Sequence, residues 1–303
     1  MPDLTLMAVH AHPDDESIST GGTLARYSAE GVRTVLVTCT DGGCGDGREG
    51  SKPGDPRHDR EAVVAERRSE LERSCQALGI SHLEMLGYRD SGMMGWPDND
   101  AAGSFWTTPV DEAAAALAEL FRRYRPQVVV TYDPNGFYGH PDHIQAHRIT
   151  MAAAEATGIP DKLYYTAVPR SAMAEFGRRL RELGVDFGAD AAEGDGSAGQ
   201  GSPEEGREAG AGDAEPAGPR EEWGTPDEEI TSYLDVSGYT DRKYESIQCH
   251  ASQADNIFFL KMDRPVFAEL MGVETFVRVR DRTAAPLPEA DLFAGLRPPG
   301  GGS

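Results

Sequence analysis

The sequence predicts an α/β fold: a doubly wound, mostly parallel, Rossmann-like sheet with helices on both faces. Three observations carry that expectation. Short apolar runs alternate with helical stretches, polar clusters follow directly on the first and fourth runs, and no run reaches the length of about 18 apolar residues that a membrane span needs. Strand–helix alternation is the pattern of parallel strands joined by crossover helices, and such sheets bind ligands in the loops at the strand C-terminal ends.

Taken in order, Leu4-Thr5-Leu6-Met7-Ala8-Val9 reads as a buried strand and residues 22–30 as the helix after it. A second strand, 34–38, ends in the glycine-rich loop 41–50. A long charged helix covers about 60–78, with Ala62, Val63, Ala65, Leu71 and Leu78 as inward candidates. Strand three is 82–86, an alanine-rich helix spans 109–124, and strand four is 128–132. Residues 143–156 form a helix that Asp142 is placed to cap, and 163–167 is strand five. Later, 239–251 reads as helix and 274–279 as strand.

Composition narrows the function. The 303 residues allow about two domains, or one with an appendage. With 29 basic against 51 acidic residues the formal charge is −22, which opposes binding to nucleic acid or to an anionic membrane. Half of that charge falls in 185–228, where ten glycines and thirteen Asp/Glu accompany two arginines. Such a segment has too little apolar surface to offset its ordering entropy. The organisation expected is therefore a catalytic α/β domain over 1–184, a disordered acidic insertion over 185–228, the rest of the catalytic domain over 229–296 and a flexible Pro/Gly-rich tail over 297–303. The start of the chain lacks a basic stretch and cleavage site, so a cytoplasmic protein is expected. Cys39, Cys44, Cys75 and Cys249 contain no C-x-x-C pair, which indicates neither a disulfide framework nor a thiolate zinc site.

Two constellations carry chemistry. The first, His10-Ala11-His12-Pro13-Asp14-Asp15-Glu16, stands where strand one ends. An imidazole and a carboxylate three residues apart, just past a strand, can converge on one metal ion, while the side chains of adjacent Asp14 and Asp15 diverge. One can then ligate and the other face a water molecule. The second, Asn135-Gly136-Phe137-Tyr138-Gly139-His140-Pro141-Asp142-His143, follows strand four and places two histidines at i and i+3 on one side of a helix start. Five of the eight histidines fall in these stretches together with neighbouring His147. A mononuclear His/His/Asp site with an open position is the pattern of a catalytic zinc. His10 shares a strand face with His12 and is either a rival ligand or a packed strand histidine.

His12-Pro13-Asp14-Asp15-Glu16 with His140-Pro141-Asp142-His143 resembles the zinc-dependent N-acetylglucosamine deacetylase superfamily of the LmbE and PIG-L type, which includes mycothiol deacetylases and mycothiol S-conjugate amidases. The resemblance covers about residues 4–168 and extends to Cys249-His250-Ala251-Ser252-Gln253, which looks like a late helix ending in His-x-x-Gln. It implies zinc held by His12, Asp15 and His143, with Asp14 as general base and Asp142 orienting a ligand from behind. His140 then stabilises developing charge or protonates the leaving amine, and Tyr138 resembles a mobile tyrosine that holds the oxyanion. Arg67 and Asp90 match positions that contact sugar hydroxyls. Read from the residues alone, Tyr138 is equally a packed loop aromatic, Arg67 a solvated helix charge and Asp90 a turn residue.

The chemistry is coherent with those roles. Zinc acidifies water to a pKa of about 7 and polarises a carbonyl, and amide cleavage further needs an acid for the amine and donors for the oxyanion. Ser17-Ile18-Ser19-Thr20 stands where the conjugate amidases carry a lysine, and the loop 41–46 lacks a glutamate common in the family. Both changes are expected where a sugar or aglycone is read, with Lys52 and Arg48 as substitute charges. The expectation is a zinc-dependent hydrolase that removes an acetyl group from a small-molecule amino sugar or glycoside. The alternatives are an amidase for a larger acyl group, such as a cysteinyl amide, and a catalytically silent sugar-binding member, which would have no use for Asp14 and His140.

Overall fold

The computed structural model describes residues 4–182, 224–256 and 258–297. Strands β1 (Thr5–His10), β2 (Arg33–Thr40), β3 (His82–Tyr88), β4 (Val128–Thr131), β5 (Lys162–Ala167), β6 (Ser232–Asp235) and β7 (Val273–Asp281) form one sheet in the order β3-β2-β1-β4-β5-β7-β6. The first five are parallel, and β7 runs antiparallel to both β5 and β6. This is the predicted doubly wound architecture.

Alternation along the strands explains the two layers. Met7, Val9, Val35 and Val37 face helices α4 (Val110–Tyr124) and α6 (Pro141–Thr157) through Leu117, Phe121, Ile149 and Ala153. Leu6, Ala8, Leu36, Val128 and Val130 face the other way, onto Leu24 and Tyr27 of α2 (Gly21–Ala29) and Leu71 and Leu78 of α3 (Arg60–Leu78). Strand β1 is buried at all six positions, as expected of a central parallel strand covered on both sides. The order reverses direction between β1 and β4, and at such a switch point the crevice beyond the strand ends opens for a ligand. Both polar constellations emerge there.

Several expectations are corrected. Asp142 does not cap α6: it lies inside the first turn, and the preceding His140 caps instead, its side chain accepting from the Asp142 amide. On α3, Ala65 is exposed and Ala62 only partly covered, while Arg67, Glu70 and Ser74 are buried, because this face backs the site rather than a dry core. Its ends do follow local rules, with Asp59 capping the Ala62 amide and Gly79 closing it at φ 74°. The short α1 (Asp15–Ser19) and α5 (Gly136–Gly139), and α7 (Arg170–Glu182), are additions to the predicted set. So are β6 and α9 (Arg264–Met271), which flank the expected late helix α8 (Thr240–Cys249).

Of the acidic insertion, 185–223 lies outside the described residues, as does most of the tail. Residues 224–228 are ordered: Thr225 pairs with Pro169 and its amide donates to Val168 at 2.8 Å. The later residues complete the same sheet and its covering. Glu289 receives the buried Lys162 ammonium and the Tyr164 hydroxyl, tying the C-terminal segment to β5. All four cysteines are free, and among the described residues no helix is long and apolar enough to cross a membrane.

Candidate active site

The loop after β1 and the start of α6 bring the two constellations together. The ring of His12 meets His140 edge-on at 4.5 Å between centroids and lies 5.3 Å from His143, while His140 stacks on His143 at 4.9 Å. All three rings are buried. Asp15 lies between two of them, with Oδ2 at 3.3 Å from His12 Nδ1 and Oδ1 at 3.5 Å from His143 Nε2. One ligand nitrogen from each of His12, His140 and His143 falls within 4.8 Å of the others, and His12, Asp90 and Asp142 form a second such group.

The hydrogen bonds of these residues leave only some of their atoms free to ligate. His143 Nδ1 lies 3.2 Å from the Gly136 carbonyl, a contact only a protonated nitrogen makes, so the lone pair of the neutral ring sits on Nε2. That Nε2 is buried and has no hydrogen-bond partner. Burial and nearby His12 push the His143 imidazole down to about 4 despite Asp15, which keeps it neutral. His12 Nε2 is 3.1 Å from Asp142 Oδ2, so in its neutral form His12 carries its lone pair on Nδ1, toward Asp15. His140 differs, because its Nδ1 already accepts the Asp142 amide and its proton therefore sits on Nε2. Asp15 Oδ2 accepts from the His12 amide at 2.8 Å and from the Tyr132 hydroxyl at 2.7 Å, whereas Oδ1 faces His143. Two imidazole lone pairs thus face the two oxygens of one carboxylate, His12 Nδ1 toward Oδ2 and His143 Nε2 toward Oδ1, and imidazole with carboxylate is a donor set that suits zinc or a similar divalent ion. An unpartnered buried nitrogen costs about 1–3 kcal/mol, a penalty that a bound cation removes.

Asp14 stands beside this set with φ 115°, a region costly for any residue with a Cβ. Its backbone is held from both sides. Arg67, buried in α3, donates to the Pro13 carbonyl at 2.5 Å and to Asp14 Oδ2 at 3.0 Å, and Glu16 accepts the Asp14 amide at 3.0 Å. Shelter in the cleft pushes the Asp14 carboxyl up to about 6, against the pull of Arg67. Glu16 is itself fixed by Ser17, Ser74 and His250, and although burial pushes its carboxyl up, His250 at 2.8 Å holds it down to about 2. The Ser17 hydroxyl therefore turns inward. Thr20 does likewise, at 2.8 Å from His10 Nε2.

Asp90 is buried, with Oδ2 accepting from the Cys44 amide and Oδ1 from the Gly92 amide at 3.0 and 2.8 Å. Tyr138 is 47% exposed at the mouth, its ring 5.2 Å from His143. Lys52 pairs with Asp46 at 2.7 Å, and Gln253 holds the same loop through the Asp46 amide. His10 is a packed strand histidine after all, against Tyr132 and Thr20. Sequence reasoning assigned no role to Tyr132, Glu16 or His250. A tyrosine ending a strand beside a polar motif was the only local signal for Tyr132.

The family model described as PIG-L, GlcNAc-PI de-N-acetylase, matches residues 7–154. Among curated relatives, a 1D-myo-inositol 2-acetamido-2-deoxy-alpha-D-glucopyranoside deacetylase from Acidothermus cellulolyticus is 42% identical, covering 96% of this chain and 95% of the relative. A protein of the same description from Thermobifida fusca is 41% identical over 97% of this chain and 100% of its own. Among solved structures, N,N'-diacetylchitobiose deacetylase from Pyrococcus horikoshii shares the fold at a TM-score of 0.53 and 20% identity, covering 91% of this chain and 83% of that one.

Proposed function

Since the chain belongs to the PIG-L family, we propose that it is a metal-dependent deacetylase of N-acetylglucosamine glycosides, with 1D-myo-inositol 2-acetamido-2-deoxy-α-D-glucopyranoside as substrate and zinc as the metal. The observation that carries this reading is the unpartnered His143 Nε2 facing Asp15 beside a clamped Asp14. In this reading His12, Asp15 and His143 hold the ion, and Asp142 fixes the tautomer of His12. When bound, the ion supplies Lewis acidity toward the amide carbonyl and toward water.

The chain's own residues do the rest. Asp14, fixed by Arg67 and Glu16, takes a proton from the attacking water as the new C–O bond forms. The C–N bond then breaks to give acetate and a free amine, and the proton passes on to the amine nitrogen. His140, with its proton on Nε2, is the donor for charge developing on the carbonyl oxygen, and Tyr138 covers the same atom from the mouth. Asp90, and Arg67 where its guanidinium borders the cleft, read the sugar hydroxyls.

Acetyl is favoured over a larger acyl group by the names of both relatives and by the residues near the first motif. Ser17 and Thr20 turn inward onto Ser74 and His10, so the segment offers no ion-pairing group to a charged acyl portion. The test is turnover of N-acetyl and N-cysteinyl forms of one glucosaminide by the zinc-reconstituted protein, with the released acid identified. Acetate release at the higher kcat/KM is expected. A preference for the cysteinyl amide would make the protein a conjugate amidase instead.

A further inference from the structure

The hydroxyl of Tyr132, one residue beyond β4, sits among three polar groups from β1 and the loop after it. It donates to Asp15 Oδ2 at 2.7 Å, accepts the Ala11 amide at 2.9 Å and lies 3.3 Å from His10 Nδ1. Its ring stacks face to face on His143, 4.2 Å between centroids at an interplanar angle of 15°. One side chain thus touches two of the three residues assigned to the metal, and it is 2% exposed.

These contacts form a chain with one direction. A phenol has a single proton and two acceptor lone pairs. Its proton goes to Asp15, the acceptor with no hydrogen of its own, and one lone pair takes the Ala11 amide. The second lone pair can take only a donor, so the His10 proton sits on Nδ1, and His10 Nε2 at 2.8 Å takes the Thr20 hydroxyl proton in preference to the Glu16 carbonyl, which lies farther from that hydroxyl at 3.2 Å. The order runs Thr20 to His10 to Tyr132 to Asp15, each donating to the next. With Oδ2 receiving both Tyr132 and the His12 amide, Asp15 is left with Oδ1 toward His143.

We propose that Tyr132, backed by His10, is a positioning residue for the metal centre: it fixes which oxygen Asp15 presents and the plane of the His143 ring. The proposal rests on the ligand set of His12, Asp15 and His143. Partners that orient metal ligands in this way are worth roughly 10–100-fold in metal affinity.

The experiment is competition for zinc between a chelator indicator and purified wild type, Y132F, H10N and H10L, with thermal melts of the metal-free proteins alongside. Y132F keeps the ring on His143 and removes only the hydroxyl, so its zinc affinity falls roughly 10–100-fold. H10L, which cannot donate to Tyr132, falls in the same direction by a smaller factor. H10N, whose amide nitrogen can replace Nδ1–H, recovers most of the loss while the melts of the two metal-free His10 variants stay alike. Wild-type zinc affinity in Y132F, or equal affinities in H10N and H10L, would overturn the proposal. If Y132F does not fold, the His10 pair decides it. Absence of zinc from the wild type would instead overturn the ligand set beneath it.

Discussion

Asp14 combines φ 115° and ψ −31° with a Cβ, a conformation that costs of order 1–3 kcal/mol and persists only where neighbours over-determine it. Here Arg67 and Glu16 are those neighbours, one on the Pro13 carbonyl and one on the Asp14 amide. Glycine removes the strain, whereas alanine retains it and loses the same carboxylate. Asp14→Gly is therefore expected to be more stable than Asp14→Ala by roughly 1 kcal/mol or more in denaturant melts, with both inactive. Equal stabilities would show that the backbone is relaxed. The two motifs were legible because each packs its chemistry into one contiguous run. Tyr132 was not, since its partner Asp15 is 117 residues away and nothing local to a strand end marks a tyrosine as a holder of carboxylates.

Strands and helices were legible where periodicity and caps act locally. The five parallel strands and α3, with its Asp59 and Gly79 ends, follow such rules. The N-terminus of α2 does not, because its Gly22 and Thr23 amides are received by Glu274 of β7, both at 2.8 Å, with the buried Lys243 ammonium on the same carboxylate. No sequence window contains that cap. An ordinary cap is worth about 1 kcal/mol, whereas breaking a buried ion pair costs about 3–5 kcal/mol. The ion pair dominates, so Glu274→Ala should lose at least about 3 kcal/mol of unfolding free energy, and a loss near 1 kcal/mol would mean that Lys243 escapes to water. The turn of α5 permits a sharper test of how backbone holds the site. Gly136 and Gly139 both have positive φ, 62° and 89°, but a Cβ on Gly136 would meet His143 Cβ at 2.7 Å while one on Gly139 meets nothing. Both alanine variants pay the conformational cost, yet only Gly136→Ala should also weaken zinc binding. Equal zinc affinities in the two would show that His143 is not held by this turn.

At the scale of the molecule, the reversal of strand order between β1 and β4 makes neighbours of two motifs that are far apart in sequence. That juxtaposition was legible from the α/β pattern, because a switch point is where such sheets place their ligands. The polar inner face of α3 was not, since nothing local to the helix shows that Asp14, Ser252 and Glu16 stand opposite Arg67, Glu70 and Ser74. Either side of the residues that are not described, the chain comes close together, with the Arg170 amide donating to the Thr225 carbonyl at 3.0 Å. Loop-closure cost grows slowly with length, so replacing 189–219 by a short Gly/Ser linker is expected to leave melting temperature and turnover nearly unchanged. A large loss of either would assign that segment a part in the fold or the site. The account as a whole stands on separate duties for the adjacent carboxylates, ligand for Asp15 and base for Asp14. Zinc content and acetate release from 1D-myo-inositol 2-acetamido-2-deoxy-α-D-glucopyranoside, measured together on wild type, Asp14→Asn and Asp15→Ala, test it most directly. The account predicts about one zinc per chain in wild type and Asp14→Asn, with turnover lowered roughly 10²–10⁴-fold in the latter, and weakened zinc binding in Asp15→Ala. Identical zinc content in the two variants, or no acetate from the zinc-loaded wild type, would contradict it.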